Sequence, residues 1–193
     1  MQPKSCNFLV VTVLCCALWR CGFAGPVGGR DLTLKLKDNT CNEYARSLLW
    51  VVSDALAMDH LFSGFNCTQQ NAEVHIRTQT MSACTPQSDC THSPVLNINE
   101  NTCLQRILED LQYYRDTFTV YADTALTKTV VRSIDDILQN CFSVSAMDNS
   151  ALKVSMDHKK SFQERLQLCK VLKGFHLRAI TINRVFSYIL AKE

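Results

Sequence analysis

The most reactive side chains in this chain are its cysteines, eleven of them in 193 residues. What they can do depends on the first two dozen residues. Lys4 gives a basic start, Phe8 to Trp19 is apolar except for Thr12, and small residues follow at Gly22, Ala24 and Gly25. A short apolar core ending in small residues reads as a secretory signal peptide, with cleavage expected near Ala24–Gly25. The run is too short for a membrane anchor, which needs ~20 apolar residues, and no later segment is apolar enough to span. Residues 1–24 are therefore expected to be a signal peptide, and 25–193 a single secreted domain. Cleavage removes Cys6, Cys15, Cys16 and Cys21 and leaves seven cysteines. In an oxidising compartment six pair and one is left over, as a buried thiol, a free thiol or a bond to another chain.

Other reactive groups lack the spacing that catalysis needs. His60, His75, His92, His158 and His176 are scattered, with no zinc-protease motif and no cysteine at metal-ligand distance in sequence. There is no Cys-x-x-Cys and no Gly-x-Ser-x-Gly. The six glycines, three of them between Gly25 and Gly29, build no phosphate loop. Asp135 and Asp136 are adjacent and diverge on a helix, so they are expected as solvated residues and not as an acid pair. No enzyme, cofactor or metal centre is expected. Cleavage also removes Lys4 and Arg20, leaving 18 basic residues against 18 acidic. That balance offers nothing to nucleic acid or an anionic membrane. Asn66-Cys67-Thr68 is a glycosylation sequon and marks a surface position at Asn66.

The elements that would hold these residues are helices. Thr40-Cys-Asn-Glu43, Thr102-Cys-Leu-Gln105 and Ser161-Phe-Gln-Glu164 match the capping box, in which hydroxyl and acid or amide satisfy each other's backbone N–H. After Thr40, Tyr44, Leu48, Val51, Val52, Ala55, Met58 and Phe62 recur at three- and four-residue steps, a helix of about six turns. Leu104, Ile107, Leu108, Leu111, Tyr114, Phe118 and Tyr121 repeat the pattern after Thr102. Val130, Val131, Ile134, Ile137, Leu138 and Cys141 make a third segment, and Ser161 to about Leu190 a fourth. The expected fold is all-α. Its connections run long (Ser63 to Asn101), very short (around Asp123–Thr127), then long again (Ser143 to Lys160), which is the pattern of the up-up-down-down cytokine bundle. Eighteen extended residues reach ~55 Å, enough to return along a helix of ~30 Å. Cys67, Cys84 and Cys90 can staple the long first loop.

The fourth helix carries more apolar surface than one core needs. Leu168, Val171, Phe175, Arg178, Ile182, Val185 and Ile189 form the core seam. Leu177, Ile180, Thr181, Arg184 and Tyr188 cluster on another side, roughly 100° away, leaving a strip with Lys173, His176, Asn183 and Ser187 for water. A second stripe means either a helix packed on both sides or one that meets a partner. Arginine and tyrosine among apolar residues is the composition of an interface hot spot. Arg178, inside the seam, must reach the edge or pair with an acid.

The stretch Leu168-Cys169-Lys-Val-Leu-Lys-Gly-Phe175-His-Leu-Arg178-Ala-Ile-Thr181-Ile-Asn-Arg184-Val-Phe-Ser-Tyr188 resembles the last helix of the interleukin-12 alpha family. Cys41-Asn-Glu-Tyr-Ala-Arg-Ser-Leu-Leu-Trp-Val-Val-Ser-Asp resembles its first helix, Cys103-Leu-Gln-Arg-Ile-Leu-Glu-Asp-Leu-Gln-Tyr-Tyr its second, and Ser133-Ile-Asp-Asp-Ile-Leu its third. The likeness covers most helical residues and little of the loops. It implies a secreted subunit of a heterodimeric cytokine, paired with a soluble-receptor-like beta chain and acting on a cell-surface class I cytokine receptor.

Carried over residue by residue, the arginine that enters the beta chain falls on Arg184, with Thr181, Arg178 and Tyr188 at neighbouring contacts and Leu177 and Ile180 from the second stripe beside them. The aromatic used against the signalling receptor falls on Phe162, which could equally just cover the end of the bundle. The family's bridges fall on Cys67–Cys169 and Cys84–Cys103, and its interchain cysteine on Cys90. The mammalian pattern has a cysteine just before the second helix to pair with Cys41. This chain lacks it and has Cys141, at the same end of such a bundle, so Cys41–Cys141 is expected. The departure leaves Cys84, Cys90 and Cys141 as candidates for the odd place. Two other readings remain on sequence, a single-chain cytokine of the interleukin-6 type and a small secreted enzyme or carrier.

Overall fold

A computed structural model describes residues 34–86, 98–121, 123–142 and 161–192, all within one compact unit that runs from Leu34. The expected signal peptide, its cleavage site, Cys90 and the whole of the third connection (143–160) lie outside the described residues. The bundle is built from α1 (Thr40–Leu56), α2 (Glu100–Val120), α3 (Arg132–Asn140) and α4 (Phe162–Leu190). α3 is approached through a helical turn at Thr124–Leu126 and a wider π turn at Thr127–Val131.

The starts of the helices differ in their chemistry. At α4 the expected capping box is present: Glu164 N–H donates to Ser161 Oγ at 3.2 Å, and Ser161 N–H donates to the Glu164 carboxylate at 2.7 Å. The other two starts correct the sequence reading. Thr40 is the first helical residue, held by Asp38, whose carboxylate accepts from the Thr40 N–H at 2.9 Å and from its hydroxyl. At α2 the cap is Asn99, whose side chain accepts from Thr102 N–H at 3.0 Å, so the helix begins at Glu100, before Thr102. An Asn or Asp oxygen two or three residues upstream does the same work as the threonine hydroxyl.

α1 stops at Leu56, earlier than its apolar pattern suggests. Beyond it the chain continues in tight turns, with Leu61 N–H donating to Met58 O at 3.1 Å and Phe62 N–H to Asp59 O at 3.2 Å. Leu61 and Phe62 are still buried against the bundle end. A three-residue step of apolar side chains fits a string of such turns as well as a helix.

Cross-links fix the direction of each helix. Cys41 at the start of α1 is bonded to Cys141 just past the end of α3. Ser187 near the end of α4 donates to Asn42 near the start of α1 at 2.8 Å. Lys192, past the end of α4, pairs with Glu100 at the start of α2 at 2.9 Å, and Arg115 late in α2 pairs with Asp135 in α3. Two helices run one way and two the other, in the order up, up, down, down. Asp135 is therefore ion-paired and not simply solvated. Cys67–Cys169 joins the chain after α1 to the first half of α4, and Cys84–Cys103 ties a helical turn (Thr80–Ala83) to the start of α2, with Cα separations of 5.8 and 4.8 Å.

Aromatic rings fill the centre. Tyr114 and Phe118 of α2 meet Phe175 of α4 with ring centroids 4.5 and 5.4 Å apart, and Phe142 meets Phe186 at 6.0 Å near one end. No helix among the described residues is long and apolar enough to cross a membrane.

Candidate functional site

The functional reading turns on which sides of α4 the protein covers for itself. Its inner side is the expected seam: Leu168, Val171, Phe175, Ile182, Val185 and Ile189 are all buried. Arg178 lies in that seam, 3% exposed, with Asp110 of α2 fully buried opposite it. Its Nε sits 2.5 Å from Asp110 Oδ2, and Nη2 donates to His75 O at 3.0 Å. Thr78 and Thr80 hydroxyls donate to the two oxygens of the same carboxylate at 2.6 and 2.5 Å. Arg178 is thus an internal tie and not part of an outward surface in this chain. A buried charge is tolerable only when paired and hydrogen-bonded; Arg178 is paired through Nε, which makes no hydrogen bond of its own, and hydrogen-bonded through Nη2.

The same tie seats the first crossover. His75 N–H donates to Tyr114 OH at 2.9 Å, and the His75 ring stacks on Tyr113 with centroids 3.6 Å apart. Burial pushes the Tyr114 hydroxyl up to about 12 and moves the His75 imidazole below its ordinary value. Two turns earlier on α4, Glu73 N–H donates to Lys170 O at 2.9 Å. Lys173 Nζ donates to Thr68 O at 2.8 Å and also to Gln70 O.

The approach at this point is possible because residue 174 is glycine, since a Cβ there would lie 1.9 Å from Glu73 O. Gly174→Ala should therefore destabilise the chain by about 2 kcal/mol, although alanine is the better helix former by ~1 kcal/mol. Denaturant titration together with limited proteolysis across residues 68–78 checks this, and a more stable alanine variant would refute the contact.

Among the described residues, the crossover covers only the first half of the outer side of α4. Farther along, Leu177 is 47% exposed, Arg184 is exposed, and Ile180, Thr181 and Tyr188 are half-buried. Among the described residues Arg184 has no ion-pair partner. Tyr188 carries Lys192 over its ring, with Nζ 4.3 Å from the centroid. The strip expected to face water is instead half-buried. His176 Nε2 lies 3.1 Å from Ser53 Oγ of α1, Ser187 bonds Asn42, and Lys173 holds the crossover. The most open side of α4 is the one with apolar residues and an arginine.

Phe162 lies at the opposite end of α4. It is 51% exposed and meets the Phe65 ring edge-on at 5.5 Å, with the Arg165 guanidinium 6.0 Å from its centroid. Asn66 is exposed beside it, and its Oδ1 accepts from Thr68 N–H at 2.9 Å and from the Thr68 hydroxyl at 2.6 Å. Sequence reasoning missed Asp110, although the signal was there. It stands in the seam of α2 between Ile107 and Tyr114, a lone acid to match the lone arginine in the seam of α4.

An up-up-down-down bundle with long crossover connections is the architecture of a long-chain helical cytokine. The family model of the interleukin-12 alpha subunit matches residues 68–192. The interleukin-12 alpha subunit of Felis catus is 25% identical over 186 residues, covering 78% of this chain and 82% of its own. Those of Papio anubis and Homo sapiens are each 25% identical over 184 residues, covering 78% of this chain and 83% of theirs. The chain belongs to the interleukin-12 alpha subunit family and is a cytokine subunit.

Proposed function

We propose that the chain is exported after cleavage near Ala24–Gly25 and pairs with a soluble-receptor-like beta chain through the open half of α4. The observation that carries this reading is Arg184, exposed and without an ion-pair partner among the described residues, set among Leu177, Ile180, Thr181 and Tyr188. A guanidinium framed by half-buried apolar and aromatic groups suits a carboxylate in a pocket on the partner, where exclusion of water by the rim strengthens the pair. Cys90 supplies the covalent link, since the other six cysteines of the mature chain are bonded in pairs. Phe162, at the far end of the same helix, is left free to meet the cell-surface cytokine receptor. The two contacts then serve different proteins at once.

Co-expression with candidate beta chains tests the pairing. Arg184→Ala should weaken assembly by about 2 kcal/mol, roughly thirtyfold, and reduce the heterodimer recovered from the medium. Cys90→Ser should abolish the heavier band on non-reducing gels while leaving noncovalent assembly measurable. Wild-type assembly and secretion by both variants would overturn the assignment.

A further inference from the structure

Beside Asn66 lies a cleft of about 360 Å³, lined by Leu56, Met58, Asp59, Phe62 and Phe65 with Asn66 itself on its rim. That is the small end of the range for ligand-binding cavities. It sits where α1 has ended and the chain turns back on itself through single i→i−3 bonds, including Phe65 N–H to Phe62 O at 3.3 Å. The half-buried Phe65 ring and the Asp59 carboxylate, both in the lining, are wall chemistry that a sugar ring fits, with its C–H face on the ring and hydroxyls on the acid, while Phe62 is buried beneath.

We infer that the cleft is the seat of the first N-acetylglucosamine of a glycan carried on Asn66. The sequon is already folded for it. The Asn66 carbonyl oxygen takes both Thr68 donors, while the amide nitrogen makes no hydrogen bond among the described residues. Attachment forms a bond from Asn66 Nδ2 to the anomeric carbon of a lipid-pyrophosphate-linked oligosaccharide. The C1–O bond of that donor breaks, and the lipid pyrophosphate leaves with the nitrogen's proton. Once attached, the sugar has no distance to travel, so its packing on Phe65 costs little chain entropy. It shields apolar surface and braces the turns between α1 and Cys67. The inference rests on the export proposed above.

The test uses the full chain, assembled with its beta chain and made in cells restricted to high-mannose glycans. Endoglycosidase H leaves one N-acetylglucosamine on Asn66, and peptide N-glycosidase F leaves none. Amide hydrogen exchange at Leu61, Phe62 and Phe65 should be unchanged by the first digest and accelerated about tenfold by the second. In Phe65→Ala the two digests should exchange alike. An unmodified Asn66, equal exchange after both digests, or a difference that survives in Phe65→Ala, where only the new charge at residue 66 remains, would each overturn the inference. Assembled heterodimer without a glycan at Asn66 counts against this inference alone. Glycosylated chain that does not assemble counts against the pairing alone.

Discussion

Asp110→Ala is expected to lower the unfolding free energy by about 3–5 kcal/mol. Arg178 and Asp110 are 3% and 0% exposed. Removing the carboxylate leaves a guanidinium inside the bundle with the His75 carbonyl as its hydrogen-bond acceptor, strips the Thr78 hydroxyl of its acceptor, and leaves Thr80 with the Arg106 carbonyl and the Thr78 hydroxyl. Tyr114 and Phe175 close the site from the core side. The cost should come from the stranded charge and not from lost attraction. Asp110→Leu combined with Arg178→Met, which removes both charges at similar volume, should therefore recover most of the loss. Guanidinium titration of the bridge-intact chain measures each value. A cost below ~1 kcal/mol for Asp110→Ala would mean that the pair does not hold the crossover down.

Removing the bridges should rank by the length of chain that each one closes. Cys67→Ser with Cys169→Ser opens a loop of 102 residues, and the same change at Cys41 and Cys141 opens one of 100. Each should cost about 4–5 kcal/mol, because the unfolded chain regains the freedom that the cross-link denied it. Cys84 with Cys103 encloses only 19 residues and should cost about 3 kcal/mol. Paired serines avoid stray thiols, and the same denaturant titrations give the ranking. If the short bridge proves the most costly, native packing around it and not loop closure decides its worth.

Most of the helical framework could be read from the order of residues alone, because each helix buries one stripe and the stripe repeats every three or four positions. The bundle direction followed from connection lengths, and the cross-links from Asn42, Glu100 and Cys41 to the far ends of other helices report the same order. Helix ends were harder to read. Asn99 and Asp38 do what Thr102 and Thr40 seemed placed to do, and only geometry tells neighbouring cap formers apart. The division of α4 into covered and open halves was not readable either. It depends on the described part of the crossover meeting Gly174 and Arg178, a contact between segments a hundred residues apart. Of the two outcomes open for Arg178 in the seam, the pairing with an acid is the one found, and its burial goes against the partner contact that the resemblance implied; the acid could not be named because it belongs to another helix. Arg184 and Phe162 keep the exposure that their proposed roles require, while Cys90 lies outside the described residues.

The clamp on α4 has a further consequence for how partners meet. A rod fixed at Gly174 and at the Arg178 carboxylate pair, and joined at its far end by Lys192 to Glu100, holds residues 177–188 in place before anything arrives. Recognition then demands no folding step and little loss of backbone freedom. Encounter should be governed by collision and orientation, in the ordinary protein–protein range of about 10⁵–10⁷ M⁻¹s⁻¹, and differences between partners should appear in how long they stay.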